Sequence, residues 1–190
     1  MRTYRWLAKV VDLQVAGGGR LYRKLGWPTD PKERKEYMKT KIVDNWLEPD
    51  LAEFLSVHLT KNIFYTLDHS SRPDTKESSF LKSDLSIHDP IILFLHSKIN
   101  KIKKVNLLRS YVNCHYSCHG GSFHQDDGDI TFLYMPSKNV EGGEFEIFNQ
   151  PRVEYKFNRL IYFNALDFHK GNPPTNNTTR LTLAFKTENI

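Results

Sequence analysis

From Val105 onward the chain is a series of short apolar runs separated by glycine, asparagine and proline. This texture limits what it can fold into more than any other feature. The runs are 107–116, 122–126, 129–135, 143–148, 152–156, 159–164 and 179–186. Breaker residues at such short intervals exclude long helices and let each strand fold back on a neighbour, which suits a β-sandwich or barrel.

Two helices are expected ahead of the strands. Over 50–60, Leu51, Phe54, Leu55 and Leu59 recur at helical spacing. Asp89-Pro90 supplies an N-cap and a proline at the first helical position, after which Ile91, Leu95, Ile99 and Ile102 form one face. Lys98, Lys101, Lys103 and Lys104 fall on or near the opposite side. Residues 66–88, rich in Ser, Asp and Lys, read as a long polar loop and a candidate lid. The fold class expected is therefore mainly β with supporting helices (α+β), built on a double-stranded β-helix, or jelly-roll, core. In its last strand Leu181, Leu183 and Phe185 would face the helices, while Arg180, Thr182 and Ala184 line the barrel.

Set in the strand-rich part are His124-Gln125-Asp126, then His169, then Arg180. In a strand, residues two apart point the same way, so His124 and Asp126 would converge while Gln125 faces off. Two imidazoles and a carboxylate are the ligand set of a facial triad, which holds Fe(II) on one side and leaves the other open. Arg180 and Thr182 share a parity too, and a cation beside a hydroxyl suits the far carboxylate of a dicarboxylate co-substrate. Cys114-His115 and Cys118-His119 form a second, competing group of zinc-type ligands, although alternation would turn Cys114 and His115 to opposite faces.

Taken in order, these segments resemble the Fe(II)/2-oxoglutarate-dependent dioxygenases, most closely their prolyl-4-hydroxylase-like branch. Ile42 to Leu51 is similar to the opening strand and first support helix of that family. Tyr116 falls in its tyrosine-containing strand, Phe132-Leu133-Tyr134-Met135 in a core strand, and Gly142-Gly143-Glu144-Phe145 matches its GGE-F hairpin. Leu160-Ile161-Tyr162-Phe163 is similar to the strand before the distal histidine. The resemblance implies that His124, Asp126 and His169 are the catalytic metal ligands for Fe(II). It further implies that Arg180 holds 2-oxoglutarate with Tyr134 as partner, Thr182 and Tyr116 being further candidates for that pocket. O2 would be the oxidant and ascorbate a supporting reductant. The implied reaction is hydroxylation of a substrate C–H bond, with release of succinate and CO2. Related halogenases lack the carboxylate ligand, so Asp126 favours hydroxylation.

The charge is uneven. Residues 1–45 carry 11 Lys and Arg against 5 Asp and Glu, while 46–190 carry 16 against 17, so the basic character belongs to the N-terminal part. A division into a basic extension over 1–40 and a dioxygenase domain over 41–190 follows. Such a patch steers acidic proteins or nucleic acid, or is simply a solvated surface. The two cysteines are too few for a disulfide scaffold, and no apolar run reaches membrane-spanning length, so a cytoplasmic protein with no membrane partner is expected.

A protein or peptide, with proline favoured, is the substrate and partner that the branch resemblance implies. An AlkB-like nucleic-acid demethylase is the runner-up. Asn113 and Tyr116 fit its motif loosely, but the second arginine of its C-terminal pattern is Lys186 here. A small-molecule hydroxylase, a non-catalytic metal-binding jelly roll and a zinc hydrolase stay open as alternatives.

Overall fold

The computed structural model describes residues 38–69, 79–117 and 119–190. Expectations that fall on 1–37, on 70–78 or on Cys118, including most of the basic extension and the tip of the supposed lid, lie outside the described residues.

In chain order the elements are β1 (Lys41–Val43), α1 (Pro49–Lys61), β2 (Thr66–His69), β3 (Ser79–Leu85), α2 (Pro90–Ile102) and β4 (Val105–His115). They continue with β5 (Ile130–Met135), β6 (Phe145–Ile147), β7 (Arg159–Asn164), β8 (His169–Gly171) and β9 (Arg180–Asn189). Seven strands make one antiparallel sheet in the order β1-β7-β5-β9-β4-β3-β2, and β6 pairs with β8 in a second, small sheet. This is the jelly-roll arrangement expected, with two helices laid on the large sheet.

Strand alternation splits the interior into two layers. Phe132, Tyr134, Leu160, Leu181, Leu183 and Phe185 pack with Leu55, Leu59, Ile92, Leu95 and Ile99 of the helices. Leu133, Met135, Ile161, Phe163 and Ala184 point the other way, toward Phe145 and Ile147 of the small sheet. β5 is buried along its whole length, which is why Ile-Thr-Phe-Leu-Tyr-Met shows no polar alternation. Asn158, itself buried and at φ 60°, ties the approach to α1 onto the sheet. It accepts from Leu47 N at 3.0 Å and donates to Leu47 O at 2.8 Å.

Asp89 caps α2 as expected, accepting from Ile91 N at 2.8 Å and Ile92 N at 3.3 Å. The buried stripes are rotated from those the periodicity suggested. α2 buries Ile92, Leu95 and Ile99, with Ile102 left 37% exposed at the helix end. α1 buries Ala52, Leu55 and Leu59 and leaves Phe54 51% exposed.

Several strand boundaries also differ. The segment 122–126 is no strand; it touches β8 by one bridge, His124 to His169. Of 152–156 only Val153 bridges, to Phe145. Conversely, 66–88 is not wholly loop: its ends are β2 and β3, a hairpin added to the sheet edge beside β4. The described residues of β3 are half-buried or exposed, so no apolar alternation marks it in the sequence.

Candidate metal and co-substrate site

The two layers of strands enclose a cavity of about 300 Å³. Its lining includes His124, Asp126, His169, Arg180 and Thr182, five of the seven residues singled out from the sequence.

His124 and Asp126 stand on the turn before β5, and His169 opens β8. Backbone bonds lock the two stretches together: His124 N to His169 O at 3.0 Å, His169 N to His124 O at 2.9 Å, and Asp126 N to Ala165 O at 2.8 Å. The pairing that the strand expectation assumed is thus replaced by a single bridge, which still brings the three side chains together. One ligand atom from each lies within 4.8 Å of the others, and among the described residues this is the metal-capable cluster.

Both imidazoles are held in one orientation by their backbone neighbours. His124 Nδ1 is 2.8 Å from Ser122 O, and His169 Nδ1 is 2.7 Å from Asp167 O. A carbonyl only accepts, so each ring carries its proton on Nδ1 and turns the Nε2 lone pair inward. His124 Nε2 is 3.7 Å from Asp126 Oδ1, and His169 Nε2 is 3.1 Å from Asp126 Oδ2. Burial, then the neighbouring His169, lowers the His124 imidazole to about 4, so it is neutral and free to ligate at ordinary pH. Burial alone would raise the Asp126 carboxyl. The Lys186 ammonium more than reverses this and holds it well below the usual carboxylate range.

Arg180 is 1% exposed at the other end of the cavity. Its Nε donates to Gly143 O at 2.7 Å, its guanidinium lies 5.2 Å from the Tyr155 ring centre, and Nη1 is 3.4 Å from His115 Nδ1. Nη2 has no hydrogen-bond partner. Burial lowers the guanidinium to about 10, which leaves it charged at neutral pH. Burial, then Arg180, pushes His115 well below its ordinary value, so its neutral Nδ1 can accept from Nη1. A buried charged group with an orphaned N–H calls for an anion. Two glycines make room for it. A Cβ on Gly143 would meet Arg180 Cδ at 2.9 Å, and one on Gly171 would meet Nη1 at 2.9 Å and Nη2 at 3.0 Å. The two glycines of the hairpin also take φ of 67° and 70°, which disfavours any larger residue there.

Two expectations are corrected. Tyr134 does not join Arg180 in the cavity. It faces the helices, pairs with Leu183 in register, and packs on Trp46 at 5.3 Å between ring centres. Tyr116 lies beyond the end of β4, 42% exposed, and is not part of the lining. Tyr111, Asn113 and His115, the inward set on β4, line the cavity instead, with Thr131 and Leu133 on β5. Asn113 Oδ1 is a second buried atom with no partner. Parity along β4 could have found Asn113 and His115; nothing in the sequence pointed to Thr131. Cys114 is a buried free thiol on the helix side, opposite His115, so this Cys-His pair does not assemble a zinc site.

Residues 105–185, from the start of β4 into β9, match the family model of the 2OG-Fe(II) oxygenase superfamily. Over that span the chain is similar to the superfamily. No curated protein sequence matches it significantly.

Solved structures agree on the fold. A prolyl hydroxylase from Trichoplax adhaerens, in complex with a hypoxia inducible factor peptide fragment, superposes with a TM-score of 0.63 at 16% identity over 78% of this chain and 82% of its own. A prolyl-4-hydroxylase from Pseudomonas putida gives 0.59 at 13% identity, over 78% and 92%. The alpha ketoglutarate dependent epimerase SnoN of nogalamycin biosynthesis also gives 0.59, at 12% identity over 77% and 76%. An epimerase at the same score as a hydroxylase shows that the fold does not select the substrate. No helix among the described residues is long and apolar enough to cross a membrane.

Proposed function

We propose that this protein is a 2-oxoglutarate-dependent Fe(II) oxygenase that hydroxylates a C–H bond of a peptide, with a prolyl residue as the favoured target. One observation carries the chemistry: a His-Asp-His cluster shares its cavity with a buried arginine that has an unsatisfied N–H. In this reading His124, Asp126 and His169 hold Fe(II), and Arg180 holds the far carboxylate of 2-oxoglutarate beside Thr182. The bound iron and co-substrate supply the oxidation: O2 is consumed, 2-oxoglutarate becomes succinate and CO2, and one oxygen atom becomes the substrate hydroxyl. The protein's share is to orient the ligands, neutralise the co-substrate and exclude water. Phe145 and Phe163 do the last beside the metal ligands, with ring centres 5.4 and 4.7 Å from that of His169. The peptide target rests on the fold shared with prolyl hydroxylases, one of them solved with a peptide bound.

The test is succinate formation from 2-oxoglutarate by the purified protein with Fe(II) and ascorbate. It is run alone, with a proline-rich peptide pool, and with methylated single-stranded oligonucleotide. Stimulation by the peptides is expected. Stimulation by the oligonucleotide would move the reading to a nucleic-acid demethylase, and iron-loaded protein making no succinate would remove the oxidation altogether.

The glycine cradle gives a finer check. Gly171→Ala should push the guanidinium aside and raise the KM for 2-oxoglutarate roughly tenfold, since small misplacements of an anchoring group weaken productive binding steeply. Its melting temperature should change little. An unchanged KM would mean that the co-substrate does not bind at Arg180.

A further inference from the structure

Lys186 is 1% exposed, a rare state for a lysine, and its position explains why it is tolerated. It lies on the cavity face of β9, the same face as Arg180 and Thr182, one residue beyond the span that matches the family. Its ammonium donates to Asp126 Oδ2 and, at 3.3 Å, contacts Thr131 Oγ1; it also lies 5.2 Å from the Tyr111 ring centre. Thr131 is its cross-strand partner on β5 and itself donates to Asp126 Oδ2 at 2.7 Å. One oxygen of the metal-ligating carboxylate is therefore held from two sides. Oδ2 also lies 3.1 Å from His169 Nε2, but its lone pairs are taken by these two donors, which leaves Oδ1, 3.7 Å from His124 Nε2, to face a metal.

We propose that Lys186 is a positioning residue that clamps Asp126 Oδ2 and sets the charge of the metal site. By itself the protein then binds a divalent metal weakly, and it binds more tightly once the dianionic co-substrate is present. This rests on the oxygenase reading of the site. The clamp makes Asp126 a one-oxygen ligand oriented before any metal arrives. The ammonium also neutralises the carboxylate, so an incoming divalent cation meets a fixed positive charge on the far side of its own ligand. A dianion entering between Arg180 and the metal offsets that charge. Metal and co-substrate consequently favour each other's binding, and Lys186 is the group that makes the metal depend on the anion.

The test uses Mn(II) as the probe, its free concentration read from the electron paramagnetic resonance signal, with and without 2-oxoglutarate. Wild type, K186M, K186Q and K186R are compared, with circular dichroism as the folding control. K186M is expected to bind Mn(II) at least tenfold more tightly than wild type in the absence of 2-oxoglutarate, and to lose most of the tightening that 2-oxoglutarate brings. K186Q keeps a hydrogen-bond donor without the charge and is expected to follow K186M, which covers the case of an unfolded K186M. K186R should restore wild-type behaviour. Unchanged or weaker Mn(II) binding in both neutral variants, or an undiminished response to 2-oxoglutarate, would overturn the proposal alone. A wild-type protein that binds no Mn(II) under any condition would overturn it together with the oxygenase reading.

Discussion

Asp126→Ala is expected to abolish succinate formation and to lower the melting temperature by about 10 °C in the same protein. The first effect follows from removing one of the three proposed metal ligands. The second follows from Lys186. Its ammonium is buried against Asp126, and taking the carboxylate away leaves a buried charge uncompensated, which costs about 3–5 kcal/mol. For a chain of this length each kcal/mol moves the midpoint by about 2–4 °C. The two effects separate in the double variant. Asp126→Ala with Lys186→Met removes both charges, so most of the lost stability should return while activity stays absent. Thermal melts of the single and double variants beside a succinate assay check this. A double variant no more stable than Asp126→Ala would show that the ion pair is not what the single change breaks.

Arg180→Ala is expected to raise the KM for 2-oxoglutarate by about a hundredfold, with a smaller effect on the rate at saturation. Hydrogen bonds to a charged partner contribute about 1.5–3 kcal/mol, which is a factor of about 10 to 150 in affinity. The buried setting, with Nη2 otherwise unpaired, places the loss toward the upper end. Arg180→Lys keeps the charge but not the fork, and should fall between the two. Measuring KM for 2-oxoglutarate, and stability in parallel because Arg180 also holds Gly143 O, separates binding from packing. A KM unchanged in the alanine variant would move the anion site to another part of the cavity, Asn113 being the next candidate.

The limits of reading the chain alone show in particular residues. His124 and Asp126 were legible through their spacing, and they do converge, although the segment carrying them is a turn with one bridge to His169 and not a strand. The last strand was read correctly on both faces because Leu181, Leu183 and Phe185 alternate cleanly with Arg180, Thr182 and Ala184. Tyr134 was misplaced for want of one fact. Its partner across the ladder is Leu183, which faces the helices, and register between distant strands leaves no mark in composition. The β2–β3 hairpin looks like loop in the sequence because a half-exposed edge strand does not need apolar alternation.

What the sequence by itself determined was the jelly-roll class and the two supporting helices with the Asp89 cap, and it singled out the three candidate ligand residues and the arginine that share the cavity. Each of these is written in local periodicity or in residue type at short spacing. The tertiary structure alone decided which tyrosines and histidines enter the cavity, that Gly143 and Gly171 cradle the guanidinium, and that Lys186 and Thr131 grip Asp126 from the next strands. Those choices depend on the register of strands tens of residues apart. Register is selected by the packing of both layers at once, and no single segment encodes it.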